Sequence, residues 1–271
     1  MQKIAIYGKG GIGKSTISST LSAAMAKENL KVIQIGCDPK KDSTIRLTNG
    51  IRIPDVITTS ISKRNAKEIE IHDIIKKGFL DIDCVECGGP KPGVGCAGRG
   101  ITKMFEMFDE LEIFKDNYDV AVFDVLGDVV CGGFAAPMRQ GYGDKIFIVI
   151  SEEIMSLYAA NNILHAIKTY EYNGIYFAGL ILNLRNNKSG INHVKRFVKS
   201  TNTNIIGIIP RNKLIVEAEK ENKTIIEKFP ESEISIKFRN IAKKIIKIEK
   251  NNAKNPIPID DNKFNEIILG N

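Results

Sequence analysis

Gly8-Lys9-Gly10-Gly11-Ile12-Gly13-Lys14-Ser15 decides how this chain is read. The octapeptide satisfies G-x-x-x-x-G-K-[ST]; an apolar run at 3–7 enters it, and a helical pattern at 15–28 leaves it. In that strand-loop-helix setting the glycines let backbone N–H groups curve around nucleotide phosphates, and the helix N-terminus adds a favourable dipole. Lys14 reaches the β- and γ-phosphates, Ser15 is a Mg²⁺ ligand, and Thr16 continues the phosphate turn. Lys9 is an additional lysine for which a generic phosphate loop has no need.

Outward from this loop, short apolar runs at 31–36, 120–124, 145–150, 177–183 and 204–209 alternate with helical periodicity at 153–170 and 234–250. The alternation predicts an α/β fold, a P-loop NTPase whose mainly parallel β-sheet is flanked by helices. Residues 1–250 form the expected domain, and 251–271 a polar tail, frayed or draped on the surface. Two strand ends carry acid. Gly36-Cys37-Asp38-Pro39-Lys40-Lys41-Asp42-Ser43-Thr44 follows the second strand, and Asp124-Val125-Leu126-Gly127-Asp128 closes the 120–124 run. Carboxylates at these ends can orient water or hold the second shell of Mg²⁺, and loops that touch a γ-phosphate relax on hydrolysis.

The 271 residues, 43% hydrophobic and 26% charged, contain no apolar run long enough to span a bilayer, and no signal peptide precedes the first strand. A cytoplasmic protein with no membrane association is expected. The net charge of +7 comes from dispersed lysines without an aromatic-interleaved basic motif, so no nucleic-acid partner is expected. His72, His165 and His193 show no ligand spacing. Five cysteines in a reducing compartment point to metal ligation or reactivity rather than a disulfide framework. Cys96 and Cys131 sit in glycine-rich loops, where a backbone can approach an inorganic group. Spacing leaves three uses open: Cys84, Cys87, Cys96 and Cys131 around one 4Fe-4S cluster, Cys96 and Cys131 from each of two chains around a shared one, or zinc on the Cys84-x-x-Cys87 pair.

The strings GKGGIGKST from Gly8, GCDPKKDST from Gly36, CVECGGPKPGVGCAGRG from Cys84, DVLGDVVCGGF from Asp124 and YAANNI from Tyr158 together resemble the nitrogenase iron protein family. The resemblance implies a homodimer bridged by one 4Fe-4S cluster on Cys96 and Cys131 of each copy, with MgATP as the second cofactor. It further implies nucleotide contacts from Gly8, Lys9, Gly10, Gly11, Ile12, Gly13, Lys14, Ser15 and Thr16, with Lys9 reaching the partner subunit's phosphates. Asp38 and Asp42 would belong to a first switch, Asp124 and Asp128 to a second, and Asn183 to adenine recognition. Lys9, Lys14, Asp38 and Asp128 are the residues expected to carry the hydrolytic chemistry. Arg99 matches an arginine at the partner-docking face that some members ADP-ribosylate. The implied activity is ATP-gated one-electron transfer from the cluster to a nitrogenase catalytic component, with ferredoxin or flavodoxin as donor.

Cys87 stands where the family usually has serine, Lys91 where it has glutamate, Lys41 alanine, Glu152 glycine and Asn212 aspartate, and the family is acidic overall. These departures leave a nitrogenase-like tetrapyrrole reductase component, the nickel-tetrapyrrole reductive cyclase, as a second candidate acceptor. A cluster-free dimerising ATPase of the septum-site type is the alternative of another class.

Overall fold

The computed structural model describes residues 1–63, 69–89, 97–115, 118–127, 135–186 and 190–269. Eight strands form one sheet: β1 (Gln2–Tyr7), β2 (Val32–Cys37), β3 (Lys76–Lys77), β4 (Asp83–Glu86), β5 (Val120–Val125), β6 (Lys145–Ile150), β7 (Tyr176–Asn183) and β8 (Ile205–Ile209). Their spatial order is β3-β4-β2-β5-β1-β6-β7-β8. Every described pairing is parallel except β3 with β4. The helices are α1 (Lys14–Lys27), α2 (Val56–Ser62), α3 (Ile71–Ile74), α4 (Ala97–Glu110), α5 (Ala136–Arg139), α6 (Ile154–Tyr170), α7 (Asn192–Ser200), α8 (Lys213–Lys220), α9 (Ile225–Lys228), α10 (Glu233–Lys247) and α11 (Asp261–Leu269). None of them is long and apolar enough to cross a membrane.

Strand alternation divides the core. Ile4 and Ile6 face α1 and α10, whereas Ala5 and Tyr7 face the side packed with α4, α6 and α7. All six anticipated strands are present within a residue or two. β4 was not anticipated: two of its four residues are acidic, yet all four are buried, because strands covered on both faces do not alternate apolar with polar. The same periodicity separates the thiols of the C-x-x-C pair. Cys84 lies in the core under α1 and Cys87 in the core on the opposite side. An odd spacing along extended backbone places the two on opposite faces, so the zinc reading and the one-chain cluster that included both are not supported.

The segment after α10 is docked. The Asn161 side chain of α6 donates to Ile259 O at 2.7 Å and accepts from Ile259 N at 3.0 Å, as a neighbouring strand would. Beyond this clamp Ile259, Phe264 and Ile267 are buried, and Arg196 Nε on α7 donates to Ile267 O at 2.8 Å. A run that reads as polar therefore carries three apolar anchors.

Register sets the working edge. Asp124 pairs with Ile6 on one side and Gly36 on the other, so β1, β5 and β2 end at the same level. Chain reversal around β1 opens a crevice at these carboxyl ends, where α/β sheets bind ligands. Beside that edge Glu86 is buried. Its Oε1 accepts from Thr44 N and Thr44 Oγ1, both at 2.7 Å, while Oε2 has no hydrogen-bond partner among the described residues.

Burial pushes the Glu86 carboxyl from an ordinary 4.5 up to about 8, against the lowering effect of the two Thr44 hydrogen bonds. The folded chain thus keeps a proton that the unfolded chain releases. The stabilisation is complete below 4.5 and is lost as pH rises through about 8. Relative to Glu86→Gln, the wild type should lose stability across that window with a slope of at most about 1.4 kcal/mol per pH unit. Urea unfolding of both proteins at several pH values measures this, and parallel stability curves would exclude Glu86 as the titrating group.

Candidate nucleotide and cluster site

Gly13 is the N-cap residue of α1 and offers no side-chain cap, leaving the first-turn N–H groups of a 14-residue helix open to an anion. Lys14 is nearly buried, and its Nζ lies 3.1 Å from Asp124 Oδ1 at the end of β5. Ser15 and Thr16 are partly exposed at the same turn. Thr16 Oγ1 donates to Glu219 Oε1 at 2.5 Å, and Arg46 holds the same oxygen at 3.0 Å. The first turn of α1, the turn just after the 38–44 loop and α8 therefore share one carboxylate.

A cleft of ≈ 130 Å³ opens between Gly13, Thr16, Asn183, Arg185, Arg211 and Glu219, with aliphatic walls from Ile17, Pro210 and Ile215. Asn183 Nδ2 donates to Ile12 O at 2.7 Å, which ties the end of β7 to the phosphate loop. Asn212 accepts from Leu214 N at 2.8 Å and caps α8, serving as a cap in place of the family's usual aspartate. Sequence reading did not single out Arg211, Glu219 or Arg46. The only local signal was Pro210-Arg211-Asn212 immediately after a strand.

Asp38 is half-buried, and burial pushes its carboxyl up while the Lys40 N–H, 2.9 Å from Oδ1, pulls it down. Asp42 lies on the same loop and is partly exposed. Asp128, Cys96 and Cys131 fall outside the described residues, and so does Lys91. What can be described is the chain that leads to them. Gly127 rests on the phosphate loop so closely that a Cβ there would lie 2.3 Å from Gly8 O and 2.5 Å from Gly10 N. Any side chain at 127 would prise the loops apart. The exits to both cysteine segments leave β4 and β5 at the same edge of the sheet, with only β2 between them.

Lys9 does not line the cleft between Gly13 and Glu219. It borders an open groove with Glu152, Glu153, Ile154, Met155, His193 and Ile268. Ile154 is 48% and Met155 58% exposed, an apolar rim beside the extra lysine. Glu152, where the family has glycine, accepts from Arg185 N at 3.1 and 3.0 Å and from Asn186 N at 2.7 Å. His193 Nε2 donates to Glu152 O at 2.6 Å. The substitution thus ties the end of β6 to the loop leaving β7. Arg99 is exposed on the first turn of α4.

A 4Fe-4S cluster requires thiolates. Burial pushes the Cys37, Cys84 and Cys87 thiols up, which keeps them protonated, and they are divided between the two faces of the sheet. Among the described residues no three His, Cys, Asp or Glu side chains are grouped to hold a metal. None of these three buried thiols is therefore placed to hold a cluster.

The chain is 47% identical over 249 residues to a nitrogenase iron protein of Methanospirillum hungatei, covering 91% of this chain and 88% of the relative. It is 44% identical over 266 residues to nitrogenase iron protein 2 of Methanothermobacter thermautotrophicus, covering 98% and 97%. The cell division protein MinD of Aquifex aeolicus superposes with a TM-score of 0.67 over 92% of this chain and 98% of its own, at 20% identity, a likeness of fold alone. A family model matches residues 2–270, and the chain belongs to the 4Fe-4S iron sulfur cluster binding proteins of the NifH/frxC family, ATP-dependent reductases of the nitrogenase type.

Proposed function

We propose that this chain is the reductase component of nitrogenase, a cytoplasmic homodimer in which MgATP binding and hydrolysis gate one-electron transfer to the nitrogenase catalytic component. The observation that carries the reading is the contact of Gly127 with Gly8 and Gly10. The chain that leads on to Asp128 and Cys131 lies against the phosphate loop itself.

In this reading Lys14 binds the β- and γ-phosphates and Ser15 the Mg²⁺, while Asp124 holds the Lys14 ammonium in place. Asp38 orients the attacking water, and Asp42 and Asp128 follow the γ-phosphate. Asn183 and the aliphatic walls of the cleft take the adenine. The apolar rim around Lys9 suits a second copy of the chain, whose phosphates Lys9 would reach. Cys96 and Cys131 of each copy would hold the cluster, which supplies a low-potential one-electron couple when bound. Ferredoxin or flavodoxin is the proposed donor, and the exposed Arg99 belongs to the docking face. Only two residues, Val129 and Val130, separate Asp128 from Cys131, so displacement at the γ-phosphate would reach the thiolate through a short stretch of backbone.

Anaerobically purified protein should be brown and contain about four irons per dimer, and Cys87→Ser should retain them. A colourless, iron-free dimer that binds ATP would favour a positioning ATPase instead. Asp128→Glu should bind nucleotide but lose the MgATP-induced change in chelator access to iron; a wild-type response would refute the proposed path. Reduced protein with MgATP should pass electrons to a nitrogenase catalytic component. Transfer only to a nickel-tetrapyrrole-binding component would reassign the acceptor.

A further inference from the structure

Two acidic residues outside the nucleotide cleft, Asp55 and Glu86, are 3% and 1% exposed, and their backbones are paired by an isolated parallel bridge. Both fasten the 38–44 loop from beneath. Glu86 does so through Thr44, and Asp55 through an ion pair of Oδ2 with Lys41 Nζ at 3.0 Å. Lys41 has left-handed backbone, φ +55°, and Arg52 donates to Lys40 O and Lys41 O at 3.2 and 3.4 Å, which fixes the turn that presents the lysine.

The other Asp55 oxygen, Oδ1, accepts from Thr58 N at 2.8 Å and caps α2. The next residues after Glu86 are held by the same group. Ile57 N donates to Cys87 O at 3.1 Å. Gly88 has φ +73°, and a Cβ there would lie 2.0 Å from Asp55 Oδ1, so only glycine fits. α2 also meets α4: a Cβ on Gly100 would be 3.5 Å from Ile57 Cγ1 and 3.7 Å from Gly88 O. α4 begins one residue after Cys96. Asp55 therefore touches the first nucleotide loop, the cap of α2 and the exit of β4, and α2 bears on the start of α4.

Because Asp55 is buried, withdrawing Lys41 would leave its charge uncompensated, so the carboxylate and the cap it forms must follow the lysine. We propose that Lys41 and Asp55 are positioning residues whose ion pair transmits rearrangement of the 38–44 loop to α2 and the first turn of α4. This rests on reading that loop as a nucleotide switch.

The test compares Lys41→Ala, Asp55→Asn, the double variant and Lys41→Arg in the cluster-loaded dimer. Asparagine keeps the helix cap while removing the charge. Each single variant should reduce the MgATP-induced acceleration of iron removal by a chelator about threefold to tenfold. The double variant should be no worse than either single one, Lys41→Arg should restore the response, and the MgATP Kd should stay within about twofold. A wild-type response in Lys41→Ala, or additive losses in the double variant, would overturn the proposal.

Hydrogen exchange of the 97–104 amides on adding MgATP to iron-free protein is the second readout. A nucleotide-dependent change present in the wild type and absent in Lys41→Ala supports the coupling. Its persistence in Lys41→Ala, or its absence from the wild type, overturns it. Failure of the wild-type iron to respond to MgATP would instead count against the functional reading, and the exchange measurement would still decide the role of Lys41.

Discussion

The buried ion pair between Lys14 and Asp124, 3.1 Å long, is the constraint on which the arrangement of the site depends. Breaking such a pair by removing one partner typically costs about 3–5 kcal/mol, because the other charge is left without compensation. The pair joins the first turn of α1 to the end of β5 and so fixes the phosphate loop against the strand that continues toward Asp128 and Cys131. Asp124 is itself aligned with Ile6 and Gly36 by sheet register, which brings the 38–44 loop to the same place. A phosphate that competes for the Lys14 ammonium must therefore alter the surroundings of Asp124 as well. Energy gained at the phosphate has a direct mechanical outlet.

Around this pair the protein concentrates acid, although the chain as a whole is basic. Asp38, Asp42, Asp55, Glu86 and Asp124 surround the ends of β2, β4 and β5, and each of those with a described partner is held by an N–H, a hydroxyl or a lysine. Burial, with a smaller contribution from repulsion by Asp124 and Asp42, is the reason Glu86 holds its proton at a pH where an exposed carboxylate would have lost it. The net charge of +7 is thus a property of the outer surface and says little about the site.

The glycine pattern at 8–15 disclosed the phosphate loop because its signal is local: eight consecutive residues supply the glycine turn, the lysine and the serine. The long strands were legible for the same reason, since five or six consecutive apolar residues have few other uses. β4 was not, because Glu86 is held by Thr44, 42 residues away, and Asp83 by Tyr118, 35 residues away, and no local pattern records those pairings. The walls of the cleft at Arg211 and Glu219 were hidden likewise. They become neighbours of Thr16 only once α8 is folded across the sheet edge. Spacing left Cys84-x-x-Cys87 open as a ligand pair, and extended backbone closed it by turning the two thiols to opposite sides. The clamp of Asn161 on Ile259 was also out of reach, because an asparagine within a helical pattern does not reveal which distant peptide it grips.

That clamp has a practical corollary. Held through Ile259, α11 carries Ile268 to the rim of the groove that also contains Lys9. Whatever is fused behind α11 is tethered next to the surface where a second copy of the chain would approach. β1, by contrast, starts at the far edge of the sheet, with Gln2 paired to Val120, and only reaches the nucleotide loops at its other end. An affinity handle placed before Gln2 leaves the molecule on the side away from the chemistry, whereas one placed after α11 crowds the groove. For anyone preparing the protein, the choice of terminus is a choice about whether that face stays open.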